Sequence, residues 1–94
     1  MKVRDLLTDE TKWTKGAFAR DKEGKVIGSG SPLACCWCLS GAAFHCVGDD
    51  SDESAYAILA RIRERVGHAS VAAWNDDPKR TFAEVRALVE ELDI

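Results

Sequence analysis

Ser31-Pro32-Leu33-Ala34-Cys35-Cys36-Trp37-Cys38-Leu39-Ser40-Gly41-Ala42-Ala43-Phe44-His45-Cys46-Val47 is the stretch that decides the fold. From Pro32 to Val47 no side chain carries a formal charge apart from what His45 can acquire. Ser31 suits an N-cap, and Pro32 suits the first helical position, where its missing N–H costs nothing. The segment therefore predicts a helix over 32–47 that stops at Gly48. On a helical wheel Cys35, Leu39, Ala42 and Cys46 share one stripe, with Trp37 and Phe44 opposite. A helix apolar all round is buried all round, so this reads as the central helix.

Shorter elements are expected on either side. Thr8 can cap a helix over Asp9–Lys15, with Asp9 and Glu10 in its first turn and Gly16 as the stop. Ala17–Arg20 and Lys25–Ile27 flank Asp21-Lys22-Glu23-Gly24, which predicts a small β-hairpin with Gly24 at positive φ. Gly28-Ser29-Gly30 is a hinge. Downstream, Ala55, Ile58, Leu59, Ile62 and Val66 recur at helical spacing, capped by Asp50 or Ser51 and closed by Gly67. His68 is expected to complete that cap. Ser70–Trp74 reads as one helical turn and Asn75–Pro78 as a turn. Thr81-Phe82-Ala83-Glu84 is a capping box that opens the last helix, whose core face is Phe82, Val85, Leu88, Val89 and Leu92. The fold class is mainly α: about four helices packed around the buried helix 32–47, with a small hairpin near the N-terminus.

At 94 residues and 10.3 kDa the chain is expected to be a single globular domain, 1–94. Stability on the order of 5–10 kcal/mol is expected at this size. Apolar residues make up 46% and charged residues 31%, a globular composition. Thirteen basic against sixteen acidic side chains give a net charge of −3, the wrong sign for a dedicated nucleic-acid binder. Residues 1–30 carry a net +2 and residues 31–94 a net −5. The early charges Lys2, Arg4 and Asp5 do not resemble an export signal, and no stretch approaches the ~18–20 apolar residues of a membrane span. A cytoplasmic protein is expected, with thiols rather than disulfides.

Four cysteines lie within twelve residues: Cys35, Cys36, Cys38 and Cys46. Cys35, Cys38, His45 and Cys46 are the candidate zinc ligands, and Cys35-x-x-Cys38 has ligand spacing. On one continuous helix, however, Cys38 and His45 stand ~10.5 Å apart along the axis, too far for one metal. A thiol–disulfide role for the Cys35-Cys36-Trp37-Cys38 run lacks the preceding βαβ pattern. Small buried thiols in the core are the competing account, and they leave the chain without a cofactor. His68, Ser70 and Asp76 or Asp77 can be drawn as a hydrolase triad, but no nucleophile elbow accompanies them. Arg61, Arg63, Arg65, Lys79 and Arg80 are the candidates for a nucleic-acid patch; Arg63 points differently from its neighbours, and the acidic surroundings oppose phosphate.

Trp74-Asn75-Asp76-Asp77-Pro78 admits two readings. Trp74 can plug the core while Asn75 or Asp77 bonds the turn backbone. Alternatively, Trp74 beside acids is a hot spot for a protein partner. Two segments also look familiar: Trp37-Cys38-x-x-Gly41-Ala42, and Ala73-Trp74-Asn75-Asp76-x-Pro78-x-Arg80-Thr81-x-x-Glu84-Val85. With Gly16-Ala17 and Ala19-Arg20-Asp21, they resemble a family of small bacterial and bacteriophage proteins of unknown function. The resemblance implies a bacterial or phage origin and transfers no catalytic residue.

The expectation is a non-enzymatic, cytosolic, protein-binding module, monomeric or homodimeric. In its specific form the protein is a phage-type inhibitor of a host nucleic-acid-directed defence complex. It would present carboxylates at Asp49, Asp50, Asp52 and Glu53 and at Asp76 and Asp77, beside Trp74. A zinc or thiol-redox protein and a nucleic-acid accessory protein are the alternatives.

Overall fold

The structure is a computed structural model that describes residues 1–47 and 54–94. Among the described residues there are five α-helices, α1 (Val3–Leu6), α2 (Leu39–Cys46), α3 (Ala55–Val66), α4 (Val71–Asp76) and α5 (Phe82–Leu92). Three two-residue strands, β1 (Ala19–Arg20), β2 (Val26–Ile27) and β3 (Cys36–Trp37), form an antiparallel sheet in the order β2-β1-β3. The mainly α class with a small sheet therefore holds. No helix among the described residues is long and apolar enough to cross a membrane.

The central helix is half the expected length. Ser31 Oγ does accept from Leu33 N at 3.2 Å, but Pro32 opens only a turn, closed by Ala34 N–H donating to Ser31 O at 3.1 Å. Cys36 and Trp37 then pair with Arg20 and Ala19, and α2 starts only after Cys38. An uninterrupted apolar run cannot by itself distinguish strand from helix. The free edge of β1 decides the matter, because it offers Cys36 and the strand-favouring Trp37 a hydrogen-bonding partner. The hairpin is as expected, with Ala19 opposite Ile27, Arg20 opposite Val26, and Gly24 at φ 83°.

The first helix is also displaced. Instead of a Thr8-capped helix over Asp9–Lys15 there is α1 and a 3₁₀ turn over Glu10–Lys12, capped by Asp9, whose carboxylate accepts from Thr11 N at 2.9 Å. Trp13 and Thr14 leave helical geometry because they are drawn alongside Trp37; Thr14 N–H donates to Trp37 O at 3.0 Å. Ser54 caps α3 through Ala57 N at 3.1 Å; the expected caps Asp50 and Ser51 lie outside the described residues. Gly67 closes α3 at φ 69° as expected. His68 does not complete the cap: its Nδ1 accepts from Ser70 N at 3.0 Å, shaping the approach to α4, which runs to Asp76. The Thr81–Glu84 capping box opens α5 as read.

The core gathers Val3, Leu7, Ala19, Trp37, Leu39, Ala42, Ala43, Ile58, Ile62, Val85 and Val89 around α2. Alternating exposure puts Ala19 and Trp37 on the inner face of the sheet, while Arg20 and Val26 face outward. Arg86 of α5 fastens α1 by donating to the carbonyls of Arg4 and Leu7.

One contact sets how closely α2 approaches β1. A Cβ at Gly41 would overlap the Phe18 carbonyl oxygen and stand 2.7 Å from its carbon, which is backbone and cannot step aside. Gly41→Ala is expected to destabilise the protein by about 3 kcal/mol or more. Urea unfolding followed by far-UV circular dichroism measures it, and a loss no larger than that of an ordinary exposed helical substitution contradicts the close approach.

Candidate functional site

Within the largely exposed Trp74–Thr81 segment one side chain turns inward. Asn75 at the end of α4 is fully buried, and its amide is saturated. Oδ1 accepts from Trp13 Nε1 at 2.7 Å and from Leu39 N at 3.2 Å; Nδ2 donates to Thr14 O at 3.1 Å and Asp76 Oδ1 at 2.9 Å. Asp76 Oδ1 accepts a further hydrogen bond from Gly16 N at 3.0 Å. Asp77 accepts from Lys15 Nζ at its carbonyl and from Lys79 N at its carboxylate. Trp74 is half-buried beneath the Arg80 guanidinium, 3.8 Å from its ring centroid, and Arg80 also donates to Trp74 O and to Glu84. The Thr81 N–H and the Arg80 guanidinium hold the Glu84 carboxyl below its usual range. Of the expected partner-binding residues, Trp74, Asp76 and Asp77 thus carry internal contacts. Asp49, Asp50, Asp52 and Glu53 lie outside the described residues.

The thiols are dispersed. Cys35 is exposed and donates weakly to Leu33 O. Cys36 sits in β3. Cys38 is buried and acts as the N-cap of α2, its sulfur accepting from Gly41 N at 3.3 Å. Burial pushes its thiol up, opposed by the N–H groups of Gly41 and Ser40 and reinforced by the Asp76 carboxylate. His45 Nδ1 lies 2.7 Å from Ser29 O, with its ring against Trp37. Among the described residues no three His, Cys, Asp or Glu side chains come together as a metal site, so Cys35, Cys38, His45 and Cys46 are not brought to one point.

The other sequence constellations also have local occupations. Ser70 Oγ caps α4 through Ala73 N at 3.1 Å, so the His68–Ser70 pair shapes a loop. Of the candidate patch residues, Arg65 forms a two-point pair with Glu91, Arg61 donates to Leu92 O, and Arg80 lies on Trp74.

One outward-facing patch is apolar. Phe18 is 54% exposed and Tyr56 73% exposed, with Phe44 between them. The Phe18 and Phe44 rings meet edge-on at 6.4 Å, and Phe44 and Tyr56 at 5.5 Å, both pairs at 85°. Three aromatic rings from the segment before β1, from α2 and from α3 thus form one continuous exposed strip. At its β end a cleft of about 340 Å³ is lined by Gly16, Ala17, Phe18, Val26, Cys38, Ala72 and Asp76. Tyr56 was legible as a large aromatic outside the apolar stripe of α3; Phe44 was hidden in a uniformly apolar run.

Two predictions follow from these contacts. Asn75→Ala leaves the Trp13 indole N–H and the Leu39 N–H without acceptors, and is expected to cost about 3–5 kcal/mol in urea unfolding, with a shifted tryptophan emission. An unchanged midpoint contradicts the role of the amide. Burial raises the Cys46 thiol from its ordinary 9.0 to about 11. Between those values the unfolded chain has released a proton that the folded chain retains, so stability falls as pH rises. Cys46→Ala is expected to flatten that alkaline loss in thermal melts between pH 8.5 and about 11; an unchanged slope counts against it.

Comparisons with known proteins identify a family but no activity. No curated protein matches the chain significantly, and no solved structure does so. A family model covers residues 1–92, nearly the whole chain. The chain belongs to the family of unknown function DUF6197.

Proposed function

We propose that this protein is a non-enzymatic binding module that engages another protein through the Phe18–Phe44–Tyr56 strip. The observation that supports this reading is the strip itself. Three large aromatic rings from three separate parts of the chain are left in water while packed against one another. Aromatic side chains dominate binding energy at interfaces because they bury much area with few rotatable bonds. A contiguous exposed apolar patch is the usual mark of an interaction surface, whereas isolated exposed apolar residues need no explanation.

The surface differs from the acidic one expected from the sequence. The Asp77 carboxylate and one oxygen of Asp76 are engaged within the turn, so the aromatic rings rather than a row of free carboxylates carry most of the contact. An inhibitor of a nucleic-acid-directed complex remains one form such a module can take, acting by occupying a partner's apolar surface. Zinc or redox chemistry has less support, because no three potential ligands come together among the described residues and two of the thiols are raised by burial.

The test pairs Phe44→Ser with Tyr56→Ser in one variant, against a control variant Lys79→Ser in an exposed turn. Tagged wild-type protein and both variants are used as bait in lysate from the source organism, with captured proteins quantified by mass spectrometry. A partner held by wild type and by the control, and reduced about tenfold or more in the aromatic variant, is the expected result. Equal capture by all three removes the aromatic strip from the function.

A further inference from the structure

The cleft at the end of the aromatic strip has the makeup of a receptor for one long basic side chain in an extended peptide. Its walls are apolar, formed by Ala17, Phe18, Val26 and Ala72, with Asp76 at the rim and Cys38 also lining it. Asp76 is fixed by its neighbours: Oδ1 accepts from Gly16 N and from the Asn75 amide. Its Oδ2 has no partner among the described residues, so one oxygen of an immobilised carboxylate is left for an incoming donor. Apolar walls ending in a carboxylate match the amphipathic arginine side chain, whose methylenes lie on hydrocarbon while the guanidinium reaches an anion. The exposed Phe18 ring adds a face on which a guanidinium can stack.

The backbone beside the cleft supplies a second, independent feature. β2 is an edge strand. Asp21 N–H donates to Lys25 O at 3.0 Å, so the residues opposite each other at 21/25 and 19/27 are the hydrogen-bonded pairs of the hairpin. Val26, opposite Arg20, therefore turns its N–H and C=O away from β1 toward the open edge, while its exposed side chain lines the cleft. The other outer strand, β3, is flanked by Trp13. An extended segment laid along β2 can pair with Val26 and drop one side chain into the cleft, the arrangement by which sheet edges capture peptides.

We infer that the strip's partner carries an extended segment with an arginine, which pairs with the β2 edge at Val26 and lays its side chain between Phe18 and Asp76. This rests on the reading of the aromatic strip as a docking surface, and it names the chemistry of what docks. The open oxygen of the Asp76 carboxylate at the cleft is the charge complementarity that favours a basic occupant.

The test uses two end-blocked peptides, Thr-Val-Arg-Val-Thr and the same peptide with norleucine in place of arginine. Each is titrated into the full ¹⁵N-labelled chain at low ionic strength. The arginine peptide is expected to shift the amide signals of Phe18, Val26 and Asp76 and to bind about five- to tenfold more tightly than the norleucine peptide. Asp76→Asn keeps an Oδ1 acceptor for Gly16 N while removing the charge. It is expected to abolish that preference while leaving the urea-unfolding midpoint close to that of the wild type. Phe18→Ala is expected to weaken both peptides. Equal binding of the two peptides, both weakened by Phe18→Ala, overturns the basic occupant and leaves the docking strip standing. Shifts confined to other surfaces, or no binding by either peptide, overturn the occupant and the cleft together. Retained peptide preference with unchanged protein capture by the Phe44 and Tyr56 variant counts against the wider strip alone.

Discussion

The fully buried Asn75 side chain, a single amide with four hydrogen bonds, connects parts of the chain far apart in sequence. Its oxygen holds the Trp13 indole and the first N–H of α2, and its nitrogen holds the Thr14 carbonyl and the Asp76 carboxylate. Without it, the Leu39 N–H at the start of α2 would be buried without a partner, and the part-buried Trp13 indole N–H and Thr14 carbonyl would lose theirs. That penalty is about 1–3 kcal/mol for each unsatisfied group. The arrangement of these segments therefore depends on one side chain more than on the propensity of any element. The strands are two residues long and α1 has only four, so neither is stable alone.

The same anchoring ties the exposed polar residues of the Trp74–Thr81 segment to the rest of the chain. Asp76 links Asn75 to Gly16, Lys15 ties the Asp77 and Arg80 carbonyls together, and Arg80 covers Trp74 before reaching Glu84. Each is a local contact. Together they convert a turn into a clamp on residues 13–16. Charged groups in water contribute little when paired singly, but here they are linked to backbone groups with fixed positions, which specifies the geometry of the turn.

Much of this was legible from the sequence, and the failures have a common cause. The capping box at Thr81, the left-handed Gly67, the hairpin glycine Gly24 and the apolar stripe of α3 are local signals, settled by residues within one or two turns, and all appear as read. The helix over 32–47 and the helix over Asp9–Lys15 failed because their geometry is decided across the chain. Cys36–Trp37 follows the edge of β1, and Trp13–Thr14 follows Trp37. Neither partner is visible in the window where propensity is judged. Of the candidate site, Asp76 and Asp77 are exposed and also bonded within the turn, while Asp49, Asp50, Asp52 and Glu53 lie outside the described residues. Asn75 or Asp77 was expected to bond the turn backbone; Asp77 does so through Lys79 N, whereas the reach of Asn75 to Trp13, 62 positions away, has no local signature.

The division of labour between the two sides of the molecule follows from these constraints. α2 must lie against β1 with no side chain between them, which is why Gly41 meets the Phe18 carbonyl. That approach fixes the backbone of Phe18 beside α2, one turn from Phe44, and the T-shaped contact of their rings is the outward consequence. Tyr56 extends the strip from α3, whose inner face is already committed to Ile58, Leu59 and Ile62. The rings are thus held by the same contacts that close the core. A partner meeting them encounters a surface whose positions are already set, so little ordering cost remains for the strip at the moment of binding. Preorganisation of this kind separates an aromatic docking strip from apolar side chains that are merely exposed.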